Sequence, residues 1–82
     1  MTAEQIQQAV REALAEVAPE TSGIQIRSEV NFRDQFDFDS MDFVSFVMAV
    51  DKRLDRRTPE ADYFKLSSLA GCVDYLSAGS EA

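Results

Sequence analysis

Apolar residues fall at helical spacing in two long stretches of this chain and lose that spacing between them. Ile6, Val10, Leu14 and Val17 recur at steps of four, four and three, so they share one face of a helix, while Gln7, Gln8, Arg11, Glu12 and Glu16 occupy the rest. The preceding "TAEQ" fits a capping box, with Thr2 as N-cap and Gln5 three residues on. This helix is expected to run to about Ala18 and to stop at Pro19, whose ring and missing N–H end it. From Pro19 to Asp39 no period is sustained: the polar cluster "PETSG" is followed by scattered Ile24, Ile26, Val30, Phe32, Phe36 and Phe38. Ile24 and Ile26 alternate like a strand, but no second strand of comparable quality can pair with them, so the segment reads as a loop. A loop this long in a small domain is functional, pinned by its own apolar residues, or both.

A second helix begins at Ser40. Phe43, Val47, Val50 and Leu54 form one stripe, and Met41, Val44, Phe46 and Met48 widen it to most of the circumference, which requires burial on several sides or an exposed apolar patch. "RTPEAD" then places Thr58 as an N-cap, Pro59 at the first helical position and acids in the first turn, the signals of a short third helix. Ser67 is expected to cap a fourth, in which Leu69, Cys72, Val73 and Leu76 share a face; Gly79 ends it, and the last residues should fray. The pattern predicts an all-α fold: a small four-helix bundle of three longer helices and one short one, with a long loop between the first and second.

With 82 residues and 45% hydrophobic content, the chain has the material for one small core, so residues 1–82 are read as a single domain. No apolar run approaches the roughly 20 residues that span a bilayer, and the N-terminus lacks the basic-then-apolar pattern of a secretion signal. The lone Cys72 cannot form an internal disulfide, so the fold needs no oxidising compartment and a cytoplasmic location is expected; a monomer without membrane contact is expected as well. On the apolar stripe of its helix, Cys72 reads as a small buried hydrophobe. A net charge of −7 argues against nucleic acid, because phosphate binding needs a concentrated basic surface. Histidine is absent, which removes the commonest general base and the usual metal ligand, so the chain is not expected to be an enzyme. "DFDSMD" alternates acids as a calcium loop does, but the glycine and glutamate such a loop needs further on are missing.

The stretch "FDFDSMDF" sets one serine among acids and rings at the start of the second helix. Asp39 occupies the N-cap position with Asp42 three residues on, and Ser40 falls in the first turn, where free backbone donors and the helix dipole favour negative charge. A phosphate ester on Ser40 suits those donors, yet Asp39 and Asp42 repel free phosphate, so the site fits modification by another enzyme better than ligand capture. A serine at a helix start is also ordinary structure, and position alone does not distinguish the two.

"DSMD", Asp39 to Asp42, resembles the Asp-Ser-Leu-(Asp) motif of acyl carrier proteins. The chain length, the long first loop, the order of helices, the Pro before the short helix and "VDYL" in the last helix match that family as well. The resemblance implies that a phosphopantetheinyl transferase attaches a 4′-phosphopantetheine arm to Ser40, that an acyl- or aminoacyl-loading ligase charges its thiol, and that downstream acyltransferase or synthase enzymes consume the thioester in lipid or secondary-metabolite biosynthesis. It further implies that the second helix is the recognition surface, with Met41, Val44 and Met48 as apolar contacts unless they are core, and with Asp39 and Asp42 aiding transferase docking. Two departures qualify it. "DKRLDRR" replaces the acids that usually end that helix, which is either a solvated basic face or a surface for dedicated partners, and so a specialised carrier is favoured. Rings at Phe38 and Phe43 flank the serine, with Phe46, Phe64 and Leu66 expected near the interior, so a short or amino-acid-like cargo is expected. The competing reading is an unmodified helical adaptor that binds a partner through the apolar face of its second helix.

Overall fold

A computed structural model describes residues 1–79 of the chain. Its architecture is the expected bundle: α1 (Ala3–Val17), α2 (Ser40–Leu54), a short 3₁₀ helix (Glu60–Leu66) and α3 (Leu69–Gly79), with no strand among the described residues. Helix α1 packs against both α2 and α3, and the 3₁₀ helix packs against α3.

Thr2 caps α1 as its sequence predicts. The Gln5 N–H donates to Thr2 Oγ1 at 3.1 Å and the Thr2 N–H donates to Gln5 Oε1 at 2.9 Å. Ile6, Val10, Ala13 and Leu14 are buried, while Val17 is partly buried against the core. In α2 the buried residues are Phe46, Val47, Ala49 and Val50, so the inward face is turned away from the expected line of Phe43, Val47, Val50 and Leu54. Phe43 and Leu54 sit half-buried at its margins. So many apolar positions surround this helix that the period alone leaves its rotation undetermined; contact with α1 fixes it.

The third element begins one residue later than expected and is capped differently. Pro59 is extended at ψ 144° and precedes the 3₁₀ helix, while Thr58 is no N-cap. Thr58 is buried, and both its N–H and its hydroxyl donate to the Asp51 carboxylate, at 2.9 and 2.7 Å. Ser67 is likewise not the cap of α3, since its hydroxyl donates to the Phe64 carbonyl at 2.6 Å. Ser68 takes that role, accepting from the Gly71 N–H at 3.1 Å. The next residue is a serine as well, so the cap falls one residue later than expected. The residues after Gly79, where fraying is expected, lie outside the described residues.

The aperiodic segment is ordered by specific bonds. It contains two 3₁₀ turns, Pro19–Gly23 and Phe32–Asp34. The Gln35 amide donates to the carbonyls of Arg27 and Val30 and accepts from the Arg27 N–H, all within 2.7 to 2.8 Å. Two backbone bonds tie the segment to the start of α3: the Ala70 N–H to the Ser28 carbonyl at 2.8 Å, and the Phe32 N–H to the Ser67 carbonyl at 2.9 Å. Phe32, Phe38 and Ile26 add their side chains to the core. The loop is therefore pinned from both sides where it delivers Ser40.

Candidate functional site

The end of the loop and the first turn of α2 are held by a reciprocal cap. Asp39 is extended at φ −88°, ψ −179°; its Oδ1 accepts from the Asp42 N–H at 2.8 Å, and its own N–H donates to Asp42 Oδ2 at 3.2 Å. Two backbone donors are thus satisfied by two carboxylates, which fixes where the helix starts. Ser40 is the first residue of that helix. It is exposed, and its hydroxyl makes no hydrogen bond among the described residues. Of the residues singled out in the sequence, Asp39, Ser40 and Asp42 are brought together here.

Ser40 borders an open cleft of about 270 Å³. The loop contributes Phe32, Arg33, Phe38 and Asp39 to it, α2 contributes Ser40 and Phe43, the 3₁₀ helix contributes Phe64, and Ser67 follows directly after that helix. The aromatic wall is one edge-to-face network: Phe38 lies 5.9 Å from Phe32, 6.1 Å from Phe46 and 6.4 Å from Phe43 between ring centroids. Such spacing is the favoured arrangement of ring quadrupoles. Phe64 corrects an expectation. It stands 68% exposed at the rim and does not face the interior, whereas its neighbour Leu66 is fully buried.

Around the serine the charge is mostly negative, from Asp37, Asp39 and Asp42. Arg33 is the one cation lining the cleft, and it forms no ion pair among the described residues. Sequence reading missed it because the loop has no period from which to tell which side chains face Ser40. On the outer side of α2, Met41 and Met48 are 80% and 63% exposed and Val44 is exposed too, so none of the three belongs to the core. They form an apolar strip beginning beside Ser40.

The basic stretch at the end of α2 is partly committed within the fold. Arg53 pairs with Glu12 at 3.3 Å and Glu16 at 2.8 Å, linking α2 to α1, and the Arg56 guanidinium lies over the Tyr75 ring at 5.1 Å. Lys52 and Arg57 are exposed and form no ion pair among the described residues. Cys72 is fully buried, its thiol donating to the Leu66 carbonyl at 3.4 Å, and burial pushes its pKa up far beyond the ordinary thiol range. A thiol so held is not a nucleophile.

Comparison with known proteins bears on this arrangement. A family model described as a phosphopantetheine attachment site matches residues 8–76. An acyl carrier protein of Clostridium acetobutylicum is 33% identical over 57 residues, covering 70% of this chain and 74% of that relative.

Proposed function

Because the chain belongs to the acyl carrier protein family, whose members are non-catalytic carriers of a covalent 4′-phosphopantetheine, we propose that Ser40 is the residue that bears the arm. The observation that carries this reading is an exposed, unbonded serine hydroxyl at the capped start of α2, beside a cleft. The residues present fit the group: the hydroxyl is free to react, aromatic side chains wall the cleft, and Arg33 supplies a cation for the phosphodiester.

Attachment needs help from outside. A serine hydroxyl is a weak nucleophile without a base, and the chain contains no histidine. In the proposed step Ser40 Oγ attacks the phosphorus next to pantetheine in coenzyme A, its proton passes to a base of the transferase, and the diphosphate bond breaks to release adenosine 3′,5′-bisphosphate. The bound arm supplies a thiol that holds acyl or aminoacyl groups as thioesters. Carrier proteins work with phosphopantetheinyl transferases and synthase enzymes in general. For this chain we assign that docking to Met41, Val44 and Met48, with Asp39 and Asp42 at the edge, because an apolar strip rimmed by charge and rich in flexible methionine suits several partners. A loading ligase and a downstream acyltransferase or synthase complete the set in lipid or secondary-metabolite biosynthesis. The chain works as a cytoplasmic monomer in this reading; no described helix is long and apolar enough to cross a membrane.

The test is to incubate the protein and a Ser40→Ala variant with coenzyme A and a broad-specificity transferase and to weigh both. The parent should gain one phosphopantetheine unit and the variant none. An unchanged parent mass would favour an adaptor that uses the α2 strip alone.

A further inference from the structure

A group tethered at Ser40 has two places to go, the cleft or the bundle interior behind it, and the interior is filled with rings. Phe32 and Phe46 are buried with centroids 5.3 Å apart, and Phe38 stands edge-on to both, at 5.9 and 6.1 Å. Phe43 is the outermost ring of the set: half-buried, it lines the cleft, stacks on Phe46 at 6.4 Å and meets Phe38 edge-on at 6.4 Å. Protein interiors are packed as densely as organic crystals, so a long chain entering here must displace rings that are already satisfied by each other. The cleft offers about 270 Å³ outside that wall, and Phe64 stands exposed at its rim.

Resting on the assignment of Ser40 as the attachment point, we infer that the cargo of this carrier is a short acyl or amino-acid-sized group seated in the surface cleft, and that Phe43 bars long chains from the interior. The aromatic walls give a small apolar or flat group a surface to cover. An extended alkyl chain has most of its length outside the cleft, in water or against a partner enzyme.

The experiment loads the full chain with acetyl- and with dodecanoyl-phosphopantetheine, using a transferase that accepts acyl-coenzyme A, and confirms each product by mass. Melting temperature and the rate of thioester loss to hydroxylamine are then compared with those of the protein bearing the bare arm. A stored chain binds only the folded state, so it raises the melting temperature and shields its thioester. The expected result is that the dodecanoyl form melts no higher than the bare-arm form and loses its thioester as fast as the acetyl form, while the ring resonances of Phe43 and Phe64 shift on acetyl loading. In Phe43→Ala, dodecanoyl loading is expected to raise the melting temperature. The parent comparison decides the matter even if that variant does not fold. A dodecanoyl form of the parent that melts higher and resists hydroxylamine overturns the inference, whereas failure of any mass gain overturns the assignment of Ser40 itself.

Discussion

Thr58 and Asp51 are joined by two hydrogen bonds, the Thr58 N–H and hydroxyl both reaching one carboxylate seven residues earlier, at 2.9 and 2.7 Å. This clasp closes the turn between α2 and the 3₁₀ helix, just after Asp55 has taken the left-handed conformation at φ 51°. Thr58 is 3% exposed and Asp51 is half-buried, so water replaces a lost partner only in part. Thr58→Val keeps the shape and removes the hydroxyl, and should cost about 1.5–3 kcal/mol, the range for hydrogen bonds to charged groups. Urea unfolding checks it; the rate of modification at Ser40 should not change, since the clasp lies at the other end of α2.

Gly71 sits where α3 begins against the end of the 3₁₀ helix. A Cβ there would lie 2.6 Å from the Lys65 carbonyl oxygen and 3.1 Å from Ser68 Oγ. Helix propensity favours alanine over glycine by about 1 kcal/mol. The backbone carbonyl cannot withdraw as a flexible side chain can, so the steric term wins and Gly71→Ala should destabilise the protein by about 1–3 kcal/mol. A melting temperature that rises instead would show that the junction yields.

These two features mark where sequence reading stops. Caps made by neighbours three residues apart, Thr2 with Gln5 and Asp39 with Asp42, were legible because both partners lie in one turn. The exposed serine followed from the second of them. The clasp of Thr58 on Asp51 was not legible, because it spans a chain reversal that no local pattern encodes, and Thr58 before Pro59 carries the same letters as an N-cap. Ser68 and not Ser67 caps α3 because the Ser67 hydroxyl turns back to the Phe64 carbonyl, a use that the letters of the sequence do not distinguish from a cap. Arg33 entered the candidate site, and Phe64 moved from the expected interior to the rim, only once the loop and the 3₁₀ helix were folded beside α2, since neither element has a period that sets its facing.

The Tyr75 hydroxyl donates to Asp62 Oδ2 at 2.8 Å, tying α3 to the 3₁₀ helix. Burial, then the bond to Asp62 and the Asp62 charge, raise its pKa above the ordinary value of 10.0, and Arg56 offsets part of that. The folded state thus holds the phenolic proton more tightly than the unfolded state. Its contribution is complete below the unfolded pKa and is lost as pH rises through the higher folded value. Stability should fall in that alkaline window in the parent, and Tyr75→Phe should flatten that part of the profile. Urea midpoints measured at neutral and alkaline pH for both proteins check it; equal slopes would exclude this linkage.

Met48 is exposed on the strip proposed to receive the transferase. Met48→Glu removes no core contact, so stability should stay within about 0.5 kcal/mol. A charge in an apolar contact should instead slow modification of Ser40 by roughly tenfold, equivalent to about 1.4 kcal/mol of docking energy. Time courses of mass gain at limiting transferase, with Lys52→Glu as a control on the same helix beyond the strip, separate local docking from a general change in charge.

Arg33 shares the cleft with Ser40 but has no partner carboxylate among the described residues, while Asp39 and Asp42 flank the serine. In the unmodified protein it therefore contributes little to folding. Once Ser40 bears a phosphodiester, an anion has been added among acids, and Arg33 is the cleft cation placed to offset it. Arg33→Glu should then cost more in the modified protein than in the unmodified one. The difference should be on the order of 0.2–1 kcal/mol, the range for exposed ion pairs. It should shrink as salt rises, because charges about 10 Å apart are largely screened at 0.1 M. Unfolding of all four forms, parent and variant with and without the arm, measures that difference directly. An equal cost in both backgrounds would mean that Arg33 does not feel the phosphate.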